Sequence, residues 1–310
     1  MTLVQPTPEM QTRIRVELNE DVSTRQKDLE HIKEWLDRQP HLPSSHDYDD
    51  GRIMTFLRGC KFSLEKTKRK LDMYFTMRTA VPEFFGNRDP EKDEIKEVMK
   101  ITNIPPLPGL TPNGRRVIVM RGADLDGNNL PNVSDCMKVV LMIGDIRLKE
   151  EIVGKLVHAI VLFTTRACLE PFSHHRTLIV FSGSSRSQPF RGSQADWNYS
   201  SYVYVAQFLS EEYKSVSLHL TQSLLQRTFF QIHVHQDLDS LYKFVPKDVL
   251  PEEYGGYAGP IQWYQKLMDY RDWFLQQETV KADEARRPGK PKTHDDLFGL
   301  EGSFKQLTID

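Results

Sequence analysis

The chain has 310 residues, 41 Lys and Arg against 43 Asp and Glu, a formal net charge of −2, and 39% hydrophobic residues. These values exclude a disordered or collagen-like chain, and the near-neutral charge argues against a nucleic-acid-binding protein, which is usually basic. Three cysteines cannot cross-link so long a chain and favour a reducing compartment over secretion. No apolar run reaches the length of a membrane span, so we expect a cytoplasmic protein.

Apolar residues recur at helical spacing through the first 95 residues. A first helix should begin at Pro8, and a second should end before Pro40, because the residue before a proline disfavours the helical conformation. A further helix should follow Ser63, a residue type that caps helix N-termini. We therefore predict a helical N-terminal module over residues 1–95.

The pattern changes between residues 100 and 154. Residues 104–114 are rich in Pro and Gly and are predicted to form a loop, whereas Arg115 to Arg121 is a β-branched run typical of a strand. Val133 to Val153 is predicted to be a long helix with Ser134 as its N-cap. Because apolar residues cover most of its circumference, this helix should be buried on most sides or face a cavity.

The last part of the chain is again regular. Ile232 to His235 alternates as a strand does, Leu238 to Phe244 is predicted to be a short helix, and Ile261 to Phe274 a final one. His233 and His235 share one face of the strand, but no third ligand lies at a recognisable spacing, so we predict no metal site. From Gln276 the chain is polar, and residues 276–310 are predicted to be a mobile tail.

Residues 155–231 differ from their flanks. From Leu156 to Tyr213 there is no Lys, and serines are frequent. A core strand at Val157 to Phe163 is the one element that we predict there.

Two blocks carry a family resemblance. The first runs from Phe56 to Lys66 (FLRGCKFSLEK) and is followed by Tyr74, Arg78 and Pro82-Glu83-Phe84. The second is Ile232-His233-Val234-His235 and then Leu250-Pro251-Glu252-Glu253-Tyr254-Gly255-Gly256. Both blocks resemble motifs of CRAL-TRIO proteins, over roughly residues 25–154 and 232–310. The tail from Leu297 to Phe304 is similar to that of arthropod family members related to alpha-tocopherol transfer protein and cellular retinaldehyde-binding protein.

The resemblance implies an α/β fold, with the helical module packed on a lipid-binding domain over residues 100–275. Its sheet would form the floor of an apolar pocket closed by a mobile helical gate. Such a protein binds one hydrophobic small molecule and transfers it between membranes. The resemblance thus implies a monomer that is cytoplasmic and transiently membrane-associated, with no catalytic group, no cofactor and no nucleic-acid partner.

By position in the family, Met137, Val140, Leu141 and Gly144 should line the pocket. Gly144 stands where some relatives have a small polar residue, so its lack of a side chain leaves room for ligand. The alternative is that these four are ordinary core residues.

Arg58 matches a residue that, in several family members, belongs to a basic cluster holding a phosphoinositide head group. The planar fork of arginine can donate two hydrogen bonds to one phosphate, and Lys61 could assist. The alternative is a structural Arg58 that pairs with an acid of the neighbouring domain.

The family strand, gate and basic element expected within residues 155–231 are not recognisable, and Gln231 stands where phosphoinositide-binding members have Arg. A true divergence, a substituted exon or an out-of-frame translation would each explain this, and the abrupt edges favour the third. Two other functions therefore stay open: a phosphoinositide-reading trafficking adaptor, and a product whose disrupted pocket binds no lipid.

Overall fold

The structure, a computed structural model, describes residues 3–103, 105–112, 114–122, 132–151, 155–163, 178–183, 230–235, 237–243, 245–259 and 264–292. The helices in chain order are α1 (Pro8–Leu18), α2 (Arg25–Asp37), α3 (Asp50–Gly59), α4 (Leu64–Ala80), α5 (Pro82–Phe85), α6 (Asp93–Ile101), α7 (Val133–Glu150), α8 (Leu238–Tyr242), α9 (Tyr264–Asp269) and α10 (Arg271–Gln277). Short 3₁₀ turns are formed by Ser45–Asp47, Glu252–Tyr254 and Glu284–Arg286. The predicted α/β class is confirmed.

Six strands of the described chain form one sheet. They are β1 (Thr102–Asn103), β2 (Pro106–Leu110), β3 (Arg115–Gly122), β4 (Lys155–Phe163), β5 (Leu178–Gly183) and β6 (Phe230–His235). The order is β1-β3-β4-β5-β6, with β2 also paired to β3. Strands β3 and β4 are parallel, as the intervening α7 crossover requires, and the other pairings are antiparallel. The strands predicted at Arg115, Val157 and Ile232 are confirmed.

The prediction of a loop over residues 104–114 is wrong at β2. Pro106 pairs with Ile118 of β3, and the other side of β2 receives a 2.9 Å hydrogen bond from the Val4 amide to the Pro108 carbonyl. Proline lacks the amide that a central strand must donate, but its carbonyl still accepts, so a proline-rich segment can form an edge strand. The high proline content of this segment therefore did not justify the prediction of a loop.

Two helix boundaries also differ from expectation. The N-cap of α7 is Asn132, whose side chain accepts a 2.9 Å hydrogen bond from the Ser134 amide, so Ser134 lies inside the helix. The single final helix predicted up to Phe274 is two short ones, α9 and α10, which meet at Tyr270.

Three larger groups of buried apolar side chains organise the described chain, beside a small one formed by Ile14 and Leu18 of α1. The first joins α2, α3 and α4, and it is composed of Leu29, Ile32, Leu36, Leu42, Tyr48, Ile53, Phe56, Leu57, Leu71, Phe75 and Ala282. The second joins α6, α7, α9 and α10 through Ile95, Val98, Cys136, Val139, Val140, Met142, Ile143, Ile146, Leu267 and Phe274. The third joins β2 and β3 to α8 and the turns after it. Helix α7 thus lies at the centre of the second group.

The prediction of a mobile tail from Gln276 is wrong up to Lys292. Gln277 ends α10, and residues 278–292, here called the C-terminal strap, run back over the N-terminal helices. The buried Ala282 donates its amide to the Phe75 carbonyl at 3.1 Å, and Thr79 donates its hydroxyl to the Ala282 carbonyl at 2.5 Å. The tail motif from Leu297 to Phe304 lies outside the described residues.

Candidate functional site

Helix α7 presents the four predicted pocket residues on one face. Met137, Val140, Leu141 and Gly144 are spaced by three and four residues, so they share one side of the helix. Met137 and Val140 are buried, whereas Leu141 and Gly144 are half-buried. The structure therefore brings the four together, while their role in lining a pocket stays a prediction.

The opposite face of α7 packs within the protein. Val139 and Ile146 belong to the apolar group shared with α6, α9 and α10, and Val140 lies at the edge between the two faces. A helix that packs on the core with one side keeps apolar residues on its opposite side only where that side is also buried or contacts an apolar ligand. The burial of both faces agrees with the all-round apolar pattern of the sequence.

A third side of α7 carries a buried ion cluster around Asp145. Arg88 donates to Asp145 Oδ2 at 2.6 Å, Arg78 donates to the same oxygen, and the Tyr74 hydroxyl donates to Oδ1 at 2.9 Å. Burial alone would raise the pKa of Asp145, but the charges of Arg78 and Arg88 outweigh it and lower the pKa to about 2. The sequence singled out Arg78 as part of a motif but gave no sign of its partner on α7.

Arg58 lies at the end of α3 and is buried. Its Nε donates to Glu20 Oε2 at 2.9 Å and its Nη2 donates to Glu20 Oε1 at 2.9 Å, a two-bond fork. Glu20 follows α1, so this acid belongs to the N-terminal helices and not to the neighbouring domain that the structural alternative named. The phosphoinositide role of Arg58 stays a prediction.

Two more arginines surround the Glu20 carboxylate. Arg25, in the first turn of α2, lies 3.3 Å from Glu20 Oε1, and Arg15 of α1 contributes further positive charge. Burial raises the pKa of Glu20, but the bonds and charges of Arg58, Arg25 and Arg15 outweigh it, so the pKa is lowered. Sequence reasoning missed Glu20 because no helical spacing links residues 20 and 58.

Lys61 follows Arg58 by three residues and is exposed. It lies in the left-handed region with φ of 52°, and its amide donates to the Arg58 carbonyl at 3.0 Å. The turn after α3 therefore leaves Lys61 exposed, three residues beyond the buried Arg58.

Within the described ranges, no group of three or more His, Cys, Asp or Glu side chains could hold a metal ion. None of the helices of the described chain is both long enough and apolar enough to cross a bilayer.

Comparisons with known proteins find similarity over most of the chain. A family model described as "Pinta-like, UBA domain" matches residues 21–95, within the predicted helical module. The human protein named alpha-tocopherol transfer protein-like is 25% identical over 283 residues, which are 87% of this chain and 78% of that protein. Human clavesin-2 is 24% identical over 277 residues, or 85% of this chain and 79% of its own length.

Clavesin-1 of Xenopus laevis is 23% identical over 279 residues, covering 86% of this chain and 79% of the relative. Because each of these alignments covers at least 85% of the chain, each must include part of residues 155–231. The relatives are members of the family whose motifs the sequence resembles at residues 56–66 and 232–256. The resemblance drawn from those motifs is confirmed, and the chain is a CRAL-TRIO-like protein.

Proposed function

We propose that the protein binds a small hydrophobic ligand, such as a tocopherol, a retinoid or a similar lipid, and transfers it between membranes. The observation that carries this proposal is the similarity, over 87% of the chain, to proteins whose name includes alpha-tocopherol transfer. Lipid binding in general follows from the family, and the class of ligand is the proposed step. The protein acts as a carrier and needs no catalytic group.

The apolar side of α7 supports the proposal. Met137, Leu141 and Gly144 lie opposite the side of α7 that packs on α6 and α10, so they offer a second apolar surface. Burying about 400 Å² of apolar ligand surface would contribute on the order of 10 kcal/mol, enough to hold a lipid that is insoluble in water. Gly144 would leave space for the ligand beside its neighbours.

Extraction of the purified protein tests the carrier function. The protein is purified without added lipid, extracted with organic solvent and analysed by mass spectrometry. We expect one apolar molecule per chain and, after loading with a fluorescent tocopherol or retinoid, a rate of transfer between vesicles above that without protein. A folded protein that carries no apolar molecule and transfers none would contradict the proposal.

We propose that membrane docking is reversible and uses a phosphoinositide head group near Arg58 and Lys61. Arg58 is bonded to Glu20, so Arg58→Ala would both remove a phosphate ligand and break a buried pair, and it cannot separate the two roles. Lys61 is exposed, and its replacement separates them. Lys61→Ala should weaken binding to phosphoinositide vesicles with little change in melting temperature, whereas the equally exposed Lys290→Ala should change neither.

The two open alternatives give different results in the same experiments. An adaptor would bind phosphoinositide vesicles while carrying no apolar molecule. A product with a disrupted pocket would do neither. Reads of the transcript through the codons for residues 155–231 would separate a continuous reading frame from the out-of-frame explanation.

A further inference from the structure

The C-terminal strap follows α4 and ends beside Asp72. Near the end of α4, the Thr79 hydroxyl donates to the Ala282 carbonyl, and further along the strap Arg287 and Lys292 both pair with Asp72. The strap therefore runs from the last turns of α4 to its middle. Lys292 is the last residue that the structure describes, so the chain continues from a point beside Asp72.

The side of α4 that extends from Asp72 toward the start of the helix is basic. Arg69 and Lys68 precede Asp72 by three and four residues and therefore lie on the same side as Asp72. Arg69 is exposed and forms no ion pair with the described residues. Lys68 pairs with Glu65 at 2.8 Å, and this contact is the main reason that the pKa of Glu65 is lowered. The charges of Arg69 and of His31 on α2 add to this effect.

Apolar side chains lie one turn further along the same side. Leu64 precedes Lys68 by four residues, and Phe62 lies in the turn before α4. Both side chains are half-buried and pack against the first apolar group. Starting from Asp72, this side of α4 thus offers first two basic side chains and then two apolar ones that are incompletely covered.

The chain that follows Lys292 has the complementary chemistry in the same order. Residues 293–298 read THDDLF, with two acids followed by two apolar residues and no Lys or Arg. Lys68 lies about 6 Å from Asp72 along the helix axis. Three extended residues span about 10 Å, so the two acids can reach it. Because the strap already holds this segment close to α4, its effective concentration is high and weak surface contacts are sufficient.

We propose that residues 293–298 of the same chain dock on the side of α4 that carries Asp72. The two acids of the segment pair with Lys68 and Arg69, and its two apolar residues cover Leu64. The docked segment lengthens the C-terminal strap to the start of α4. It also covers a basic surface and keeps other anionic molecules away from that surface while it is bound.

Carbodiimide coupling of the full chain tests the contact directly. The reagent joins a carboxylate to a lysine amine that pairs with it, and the joined peptides are identified by mass spectrometry. We expect a bond from Lys68 to Asp295 or Asp296. Isotope-labelled chains are mixed with unlabelled ones, so that a bond between two copies has a mixed isotope pattern. Mixed patterns would show that the segment of a second copy binds there, and they would overturn docking within one chain.

Charge reversal followed by restoration tests the pairing. In Asp295→Lys with Asp296→Lys, the backbone amides of residues 293–298 should exchange with deuterium about fivefold faster, because the ion pairs that hold the segment are lost. Lys68→Glu with Arg69→Glu should have the same effect. The combination of all four substitutions should restore slow exchange, because the facing charges are again opposite.

Lys66→Glu with Lys70→Glu is the matched control. These lysines belong to the same turns of α4 but lie off the side that carries Asp72, so the exchange of the segment should not change. The proposal would be overturned by an equal acceleration in this control. A folded combined variant that does not restore slow exchange would also overturn it.

Other occupants of this surface give different results. If a bilayer or an acidic protein binds there, residues 293–298 of the original chain should exchange as fast as an unstructured peptide. Vesicles of phosphatidylcholine and phosphatidylserine would then slow the exchange of residues 64–69 if the occupant is a bilayer. Fast exchange of the segment in the original chain would overturn the proposal in either case.

Discussion

Asp145 of α7 accepts a 2.6 Å hydrogen bond from Nη1 of Arg88, whose side chain is fully buried. Arg78 and Tyr74 of α4 donate to the same carboxylate. One acid therefore ties the helix that carries the predicted ligand face to two separate positions of the N-terminal helices. In the described chain, Arg88 Nε and Nη2 have no hydrogen-bond partner, so its charge depends strongly on Asp145.

Asp145→Asn should destabilise the protein by about 3–5 kcal/mol, because it leaves two buried guanidinium groups without a charged partner. The measurement is chemical denaturation followed by circular dichroism. Asp135→Asn, on the first turn of the same helix and 3.7 Å from Lys138, is the matched control and should cost less than about 1 kcal/mol. A loss of stability equal to that of the control would contradict the central role of Asp145.

Acid should destabilise the protein between about pH 4 and pH 2. The pKa of Asp145 falls from 3.8 to about 2, as described above, and that of Asp72 falls equally far, because Arg287 and Lys292 outweigh the effect of burial. A carboxyl whose pKa is lower in the folded state stabilises the fold above its unfolded pKa, and this contribution disappears as the pH falls through the folded pKa. Each group contributes about 2 kcal/mol at neutral pH.

The test is the melting temperature as a function of pH. Asp72→Asn should be less stable at neutral pH and should lose less on acidification than the original chain. Asp47→Asn, at an exposed position, should keep the original profile. If the melting temperature of Asp72→Asn falls as much on acidification as that of the original chain, Asp72 is not a main source of the acid sensitivity.

Arg287→Ala should release the C-terminal strap. Arg287 donates to Asp72 Oδ1 at 2.8 Å and to the Thr76 hydroxyl at 2.7 Å, and it pairs with Glu284 at 2.6 Å. Without it, Ala282 remains as the main apolar anchor of the strap, and proteases should cut residues 278–292 more quickly. Limited proteolysis with mass spectrometry measures this, and the exposed Arg286→Ala is the control. Equal cleavage rates for both variants would contradict the role of Arg287.

Local patterns in the sequence predicted most of the regular elements. The spacing of apolar residues predicted α1, α2, α4 and α7, because a helix that packs on one side repeats its contacts every three or four residues. Two glycines follow Tyr254 in the second block that carries the family resemblance. Gly255 has a φ of 68°, and a side chain on Gly256 would meet the Leu250 carbonyl, so both positions require glycine.

Pairings between distant residues could not be predicted in the same way. Two examples are the pair of Glu20 with Arg58 and the pair of Asp72 with Arg287, whose members lie far apart in the sequence. No periodic pattern indicates which acid binds which arginine. The strap was predicted to be part of a mobile tail because it is polar. However, polar residues of the strap, Arg287 and Lys292, bind Asp72. The edge strand β2 was missed because its pairing depends on β3 and on Val4, and not on its own composition.

Gly144→Leu should abolish ligand binding while preserving the fold. Gly144 lies on the α7 face opposite Val139 and Ile146, so we expect a larger side chain there to fill the predicted ligand space and to leave the packing of Val139 and Ile146 unchanged. Replacing a helix glycine also removes a penalty of about 1 kcal/mol, so the melting temperature should stay equal or rise. The matched variant Val139→Ala should show the opposite, a loss of about 1–3 kcal/mol of stability with the ligand retained. The measurement is the amount of apolar molecule extracted per folded chain, and an unchanged amount in Gly144→Leu would remove this face of α7 from the ligand site.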